Sequence, residues 1–213
     1  MSDLVLYGDA NWQSPYAFSC YVALREKRLP FEYRTLSLEA GDHRAPDYQR
    51  NSLTGRIPAL RHGDFWLSES SAIDEYLEDA FPAPGHARLY PVAVRDRARA
   101  RQVQAFLRSD LMPLRMERPT STIFGRSQGV DPLTPAAREA TGRLVAAAEH
   151  LLAPNASALF GDFGVVDADL ALMLQRLAAN GDPLPERLVA YAAGVWQRPS
   201  VQAFVAHELP AGR

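Results

Sequence analysis

One cysteine, Cys20, stands in a chain of 213 residues. No internal disulfide can form, and no thiolate cluster can hold zinc or iron, because such sites need several sulfurs. The five histidines, His43, His62, His86, His150 and His207, lack the short spacing of metal ligands, so no metal is expected. No apolar run approaches the roughly 20 residues that a membrane-spanning helix requires. The net charge of −2 gives no general attraction to nucleic acid or to an anionic membrane. One local excess exists, at Arg95, Arg97, Arg99 and Arg101. Alternate positions spread around a helix rather than lining one face, so this run reads as a solvated helix start. Met1-Ser2-Asp3 leads into a strand pattern and not into a signal peptide, so a cytoplasmic location is expected.

The patterning that is present changes character once. Leu4-Val5-Leu6-Tyr7 has the apolar run of a strand, residues 15 to 28 have a helical period ended by Leu29-Pro30, and Phe31 to Leu38 read as a second strand. An irregular helix is expected around Pro46 to Arg50. Ile57 to Arg61 and Phe65 to Leu67 flank His62-Gly63-Asp64, a hairpin turn signal. Ile73, Tyr76, Leu77 and Phe81 then make one apolar stripe of a helix over 70–81. The order β-α-β-α-β-β-α is the thioredoxin arrangement, an α/β domain over residues 1–81.

Pro82-Ala83-Pro84-Gly85 reads as a linker, placed at 82–88. From residue 89 to 213 the period is helical throughout, which predicts an all-α second domain. Val103, Phe106, Leu107, Leu111 and Leu114 predict one long helix bent at Pro113. Further helices are expected over 135–152, 167–180, 188–196 and 200–206, with Gly181-Asp182-Pro183 stopping the third of the five.

Three local patterns carry chemistry. In Arg56-Ile57-Pro58-Ala59-Leu60 a proline interrupts a strand-like run; it removes a backbone donor and belongs at an edge, a bulge or a cis bond, leaving the preceding amide for a ligand. In Ser68-Glu69-Ser70-Ser71-Ala72-Ile73 serines open a helix, where hydroxyls, unpaired N–H groups and the positive end of the dipole suit a carboxylate. Ser14 precedes a helix opened by Pro15, so a thiol brought to it would have its anion favoured by hydroxyl and dipole together. Each pattern also has a purely structural reading. A proline can end an edge strand, Ser71 to Asp74 can be a capping box, and Ser14 can be an N-cap worth about 1 kcal/mol.

Taken together, these residues resemble the cytosolic glutathione S-transferases over nearly the whole chain. Ser14-Pro15-Tyr16 is similar to the family's thiol-activating element in its serine-type members, and Ile57-Pro58 to its cis-proline dipeptide that faces the cysteinyl backbone of glutathione. Glu69-Ser70 resembles the pair that receives the γ-glutamyl end, and His43 and Arg56 fall where basic residues reach the glycine carboxylate. Val166-Asp167 with Ala168-Asp169-Leu170-Ala171-Leu172 resembles the family's capping motif, and Trp196-Gln197-Arg198-Pro199-Ser200-Val201 its C-terminal element. The runs Leu67 to Ile73, Leu107 to Pro113 and Glu117 to Thr120 are most similar to the bacterial YfcF-like branch. The resemblance implies glutathione as cosubstrate, a small electrophile or peroxide as second substrate, no metal, and a homodimer. It implies a second-substrate pocket drawing on the helical domain.

Gly164 stands where the family usually has a capping Ser or Thr and contributes no side-chain oxygen. Serine at position 14 cannot form the mixed disulfide that cysteine-bearing relatives form. Cys20, six residues on, reads as core. Tyr7 is a competing activator, since a phenol can donate to a thiolate. Trp12, Tyr16, Met112 and Met116 are candidates for an apolar second pocket or for core. Three functions remain open: a glutathione transferase that also reduces hydroperoxides, a glutathione-dependent isomerase, and a non-catalytic ligand-binding scaffold on the same fold. The zeta-type Ser-Ser-Cys signature of the isomerases is replaced here by Ser14-Pro15-Tyr16.

Overall fold

The computed structural model describes residues 3–124 and 131–210. Two compact units divide them: one runs to Leu89 and resumes at Pro199, and the other is Tyr90–Arg198. The first opens with β1 (Leu4–Asp9), α1 (Pro15–Glu26) and β2 (Glu32–Leu36), followed by a short 3-10 turn at Asp42–Arg44 and α2 (Pro46–Asn51). It continues with β3 (Ala59–His62), β4 (Phe65–Ser68) and α3 (Ser70–Ala80).

The four strands form one mixed sheet in the order β2-β1-β3-β4. β1 runs parallel to β2 and antiparallel to β3, and β3 returns as β4 in a hairpin. Gly63, at φ 62°, supplies the positive φ that this two-residue turn demands. All six residues of β1 are buried, as a central strand covered on both faces should be. On one face Val5 and Tyr7 pack with Tyr48 of α2 and with Ala59, joined by Leu36, Ile57 and Trp66. Opposite pleats send Leu4 and Leu6 the other way. Ile73 and Leu77 of α3 are fully buried.

The second unit contains α4 (Val94–Ser109), α5 (Met112–Glu117), α6 (Ser121–Phe124), α7 (Pro135–Leu151), α8 (Val165–Ala178) and α9 (Glu186–Trp196). Its axis is α8, apolar and buried nearly all round, as a helix enclosed by others must be. The single bent helix expected around Pro113 is instead two helices. Leu111, at φ −100° and ψ 27°, leaves the helical region, and Pro113 sits in the first turn of α5, where its missing N–H costs nothing.

The last helix, α10 (Pro199–Val205), groups with the first unit. Phe204 meets the rings of Trp12, Phe18 and Tyr21 at 5.1 to 5.4 Å between centroids. Tyr21 donates its hydroxyl to the Glu208 carbonyl at 2.6 Å, and burial pushes its pKa up to about 12, so it stays a donor.

The proline-rich stretch after α3 is tied down by a buried ion pair. Lys27 Nζ reaches Glu78 at 2.9 Å and donates to the carbonyls of Phe81 and Ala87, while Glu78 also accepts the Leu89 N–H. All three ammonium donors are thereby used, the condition for burying a charge without heavy loss. No described helix is long and apolar enough to cross a membrane.

Candidate functional site

Strand register gathers distant parts of the chain at one end of the sheet. Tyr7 lies opposite Ala59, and Ala59 opposite Ser68. The end of β1 at Asp9, the Ile57-Pro58 dipeptide and the Glu69-Ser70 corner therefore emerge together. Beside them α1 begins.

Ser14 is the N-cap of α1. It has extended backbone angles, φ −70° and ψ 117°, and its Oγ accepts the Ala17 N–H at 3.1 Å, with Pro15 at the first helical position. Accepting through a lone pair leaves the hydroxyl proton available for donation. The loop before it is closed by Asp9, whose carboxylate accepts the N–H groups of Gln13 at 2.7 Å and Ser14 at 2.9 Å.

A cavity of about 500 Å³ opens over this helix start, and Ser14, Tyr16, His43, Arg56, Ile57 and Asp9 all line it. His43 is carried by the 3-10 turn: Asp42 accepts the Ser37 N–H at 2.8 Å, and Gln49 donates to the His43 carbonyl at 2.7 Å. Its Nδ1 is buried and lacks a hydrogen-bond partner among the described residues. Arg56 is exposed, and its carbonyl is held by the Tyr48 hydroxyl at 2.8 Å. Burial raises the Tyr48 pKa to about 12, which keeps that hydroxyl protonated. The Ile57–Pro58 peptide is cis. The Ile57 N–H has no backbone partner among the described residues.

Glu69 and Ser70 reach the same end of the sheet but do not line this cavity. Glu69 is exposed and held at φ 72°, ψ 116° as the N-cap of α3, with no capping bond from its side chain. A non-glycine residue in that sparsely populated region stores about 1–3 kcal/mol and marks a position shaped by more than folding. Ser70 is buried, and its carbonyl faces the Cys20 thiol at 3.8 Å. Ser71 is not the cap of a box with Asp74. The helix starts two residues earlier, capped at Glu69, and buried Asp74 instead accepts the Ser19 hydroxyl at 3.1 Å.

Tyr7 is occupied elsewhere. Its ring stacks on Trp66 at 4.9 Å and meets the edge of Tyr48 at 5.7 Å, among the core residues packed against α2. Trp12, expected beside the thiol position, is buried at φ 54° between Tyr33, Phe204 and His207, and does not line the cavity. Cys20 is fully buried. Met112 and Met116 are exposed on α5, in the second unit.

Asp9 is the residue that reading by motif missed. A carboxylate closing an apolar strand, a few residues before a helix cap, is a faint signal. Among the described residues no group of three or more His, Cys, Asp or Glu could hold a metal ion. A larger cavity, about 690 Å³, lies in the second unit beside Arg187, Tyr191 and Arg198. The Tyr191 hydroxyl there is committed to Asp167 at 2.6 Å.

Comparison with known proteins follows the same division. The domain model for the glutathione S-transferase N-terminal domain matches residues 13–80, and that for the C-terminal domain matches residues 93–209. The chain belongs to the glutathione S-transferase family. A Burkholderia glutathione transferase homologue, solved with bound glutathione, is 40% identical over 96% of both chains, with a TM-score of 0.78. A theta class glutathione S-transferase of Xanthomonas axonopodis, also solved with glutathione, has a TM-score of 0.76 over 96% of this chain and 98% of that one; at 23% identity it shows the fold alone. A Vibrio cholerae protein named "Probable maleylacetoacetate isomerase" is 34% identical over 54% of this chain and 52% of its own. The chain thus matches about half the length of that curated relative. The thioredoxin-like first domain and the helical second one are those of the glutathione S-transferase fold.

Proposed function

We propose that this glutathione S-transferase family member is a serine-type glutathione transferase of the YfcF-like branch, acting in the cytoplasm as a homodimer. The observation that carries this is the Ser14 hydroxyl, which caps α1 while keeping its own proton free, at a cavity that His43, Arg56 and Ile57 also line. Glutathione lies in that cavity with its cysteinyl backbone on the open Ile57 amide and its glycine carboxylate toward His43 and Arg56. Its γ-glutamyl end reaches Glu69 and Ser70 at the start of α3. The glutathione carried by the Burkholderia relative supports this ligand.

The thiol loses its proton to solvent. Ser14 donates to the resulting thiolate, and the positive end of α1 favours the same charge, so the thiol pKa falls below its usual value of about 8.5. The thiolate then attacks an electrophilic carbon, forming the carbon–sulfur bond as the leaving group departs with the electron pair. Attack on a hydroperoxide oxygen starts from the same thiolate. So does glutathione-dependent isomerisation, a reading favoured by the similarity to the Vibrio cholerae protein.

Calorimetry with glutathione tests the binding step, and a panel of aryl halides, hydroperoxides, disulfides and maleylacetoacetate tests the reaction. Glutathione binding with turnover of at least one panel member is the expected result. Binding without any turnover overturns the enzyme reading in favour of a ligand-binding scaffold, and no binding overturns the ligand.

A further inference from the structure

We infer that Asp9 is a positioning residue for the thiol-activating serine, an inference that rests on the Ser14 reading above. Asp9 is 6% exposed and lies at the wall of the cavity. Both of its oxygens are used: Oδ2 accepts the Gln13 N–H at 2.7 Å and Oδ1 the Ser14 N–H at 2.9 Å. The Asp9 carbonyl also accepts the Trp12 N–H at 3.2 Å, and the Ala10 N–H goes to the Leu36 carbonyl of the neighbouring strand at 2.9 Å. One residue therefore holds three of the five amides between β1 and α1.

Two consequences follow for the serine. Its amide is spent on Asp9, so the only group it offers a sulfur is the hydroxyl. Its backbone is fixed at two places, by Asp9 at its N–H and by the Phe18 N–H at its carbonyl, and its Oγ is held by the Ala17 N–H, so the hydroxyl oxygen keeps its place at the cavity. Trp12 explains why a firm clasp is needed. Its φ of 54° is unfavourable for a bulky side chain, and the loop must be held against relaxing out of that conformation. A neutral Asn at position 9 accepts through one oxygen only, so one of the two amides goes unmet.

The test is a double-mutant cycle between Asp9→Asn and Ser14→Ala, read as kcat and KM for glutathione with any panel substrate that is turned over. Asp9→Asn is expected to lower kcat roughly 10- to 100-fold, the scale of a misplaced catalytic group, with KM for glutathione changed less than about threefold. In the Ser14→Ala background the same substitution should change kcat less than about twofold, because the group it positions is gone. Additive losses, or wild-type kcat in Asp9→Asn, overturn the inference while leaving Ser14 in its role. Wild-type kcat in Ser14→Ala overturns both. Wild-type protein supplies a test that survives poor folding of the variant. The amide protons of Gln13 and Ser14 should be protected from hydrogen exchange by NMR, and amides exchanging at the rate of an open loop overturn the inference.

Discussion

The helices α1 and α8 begin in the same way and end up with different duties. Each has an aspartate that gathers loop amides: Asp9 accepts from Gln13 and Ser14 before α1, and Asp167 accepts from Gly164 and Leu159 at 2.8 Å around the start of α8. At α8 the arrangement is sealed. Asp167 is 0% exposed, and Tyr191 closes it with a hydroxyl donated at 2.6 Å. At α1 the cap is a serine, and its hydroxyl faces a cavity. The difference lies in what completes the hydrogen bonding. A protein side chain completes it at α8, which serves folding; at α1 the proposed glutathione would complete it.

The widest gap between the two ends should appear in stability. Asp167→Ala strands two buried amides and the Tyr191 hydroxyl, whose burial keeps it protonated and in need of an acceptor. The expected loss is about 3 to 5 kcal/mol in urea unfolding followed by circular dichroism. A loss below that of an exposed cap would break the comparison, because Asp167 would then be no more than a helix start.

Ser14→Ala tests the other end. Removing one cap oxygen costs stability about 1 kcal/mol. Turnover at saturating glutathione should fall much further, roughly 10- to 100-fold, while glutathione affinity by calorimetry changes little. Unaltered turnover would make Ser14 a cap like any other.

Much of this was legible in the chain itself. The alternating and helical periods placed all four strands and nearly all the helices of the described residues. Ser14 and Ile57 stood out through local signals, a serine before Pro15 and a proline inside a strand, whereas His43 and Arg56 came only from the family resemblance; all four line one cavity. What escaped depends on contacts between distant residues. Trp12 was left open between pocket and core because Phe204 and His207, which cover it, arrive from the other end of the chain. Pro113 suits a kink and a helix start equally, and only the angles of Leu111 decide between them. Asp9 acts through the path of its own loop, which no spacing rule records.

A third, smaller effect concerns Asp167 and pH. Burial raises the Asp167 pKa, outweighing the hydrogen bonds from Tyr191, Gly164 and Leu159 that lower it. The folded chain thus prefers the protonated acid more than the unfolded chain does. Asp167 therefore contributes most below its unfolded pKa of about 3.9, and that contribution is lost as pH rises through the higher folded value. Asp167→Asn does not titrate. The stability advantage of wild type over this variant should be largest near the acid end and shrink toward neutrality in unfolding curves taken across that range. An advantage that grows with pH would show the hydrogen bonds to be stronger than the burial.

The smallest effect belongs to a cap of neither kind. Thr134 begins α7 in the open: its Oγ1 accepts the Ala137 N–H at 3.3 Å, while its hydroxyl and N–H both go to Glu117, whose pKa they lower. Water can replace every one of these partners. Thr134→Ala should therefore cost only about 1 kcal/mol in urea unfolding and leave turnover at the wild-type value. Loss of turnover in this variant would show that any weakened helix start disturbs the chemistry, and the special place given to Ser14 would then have no basis.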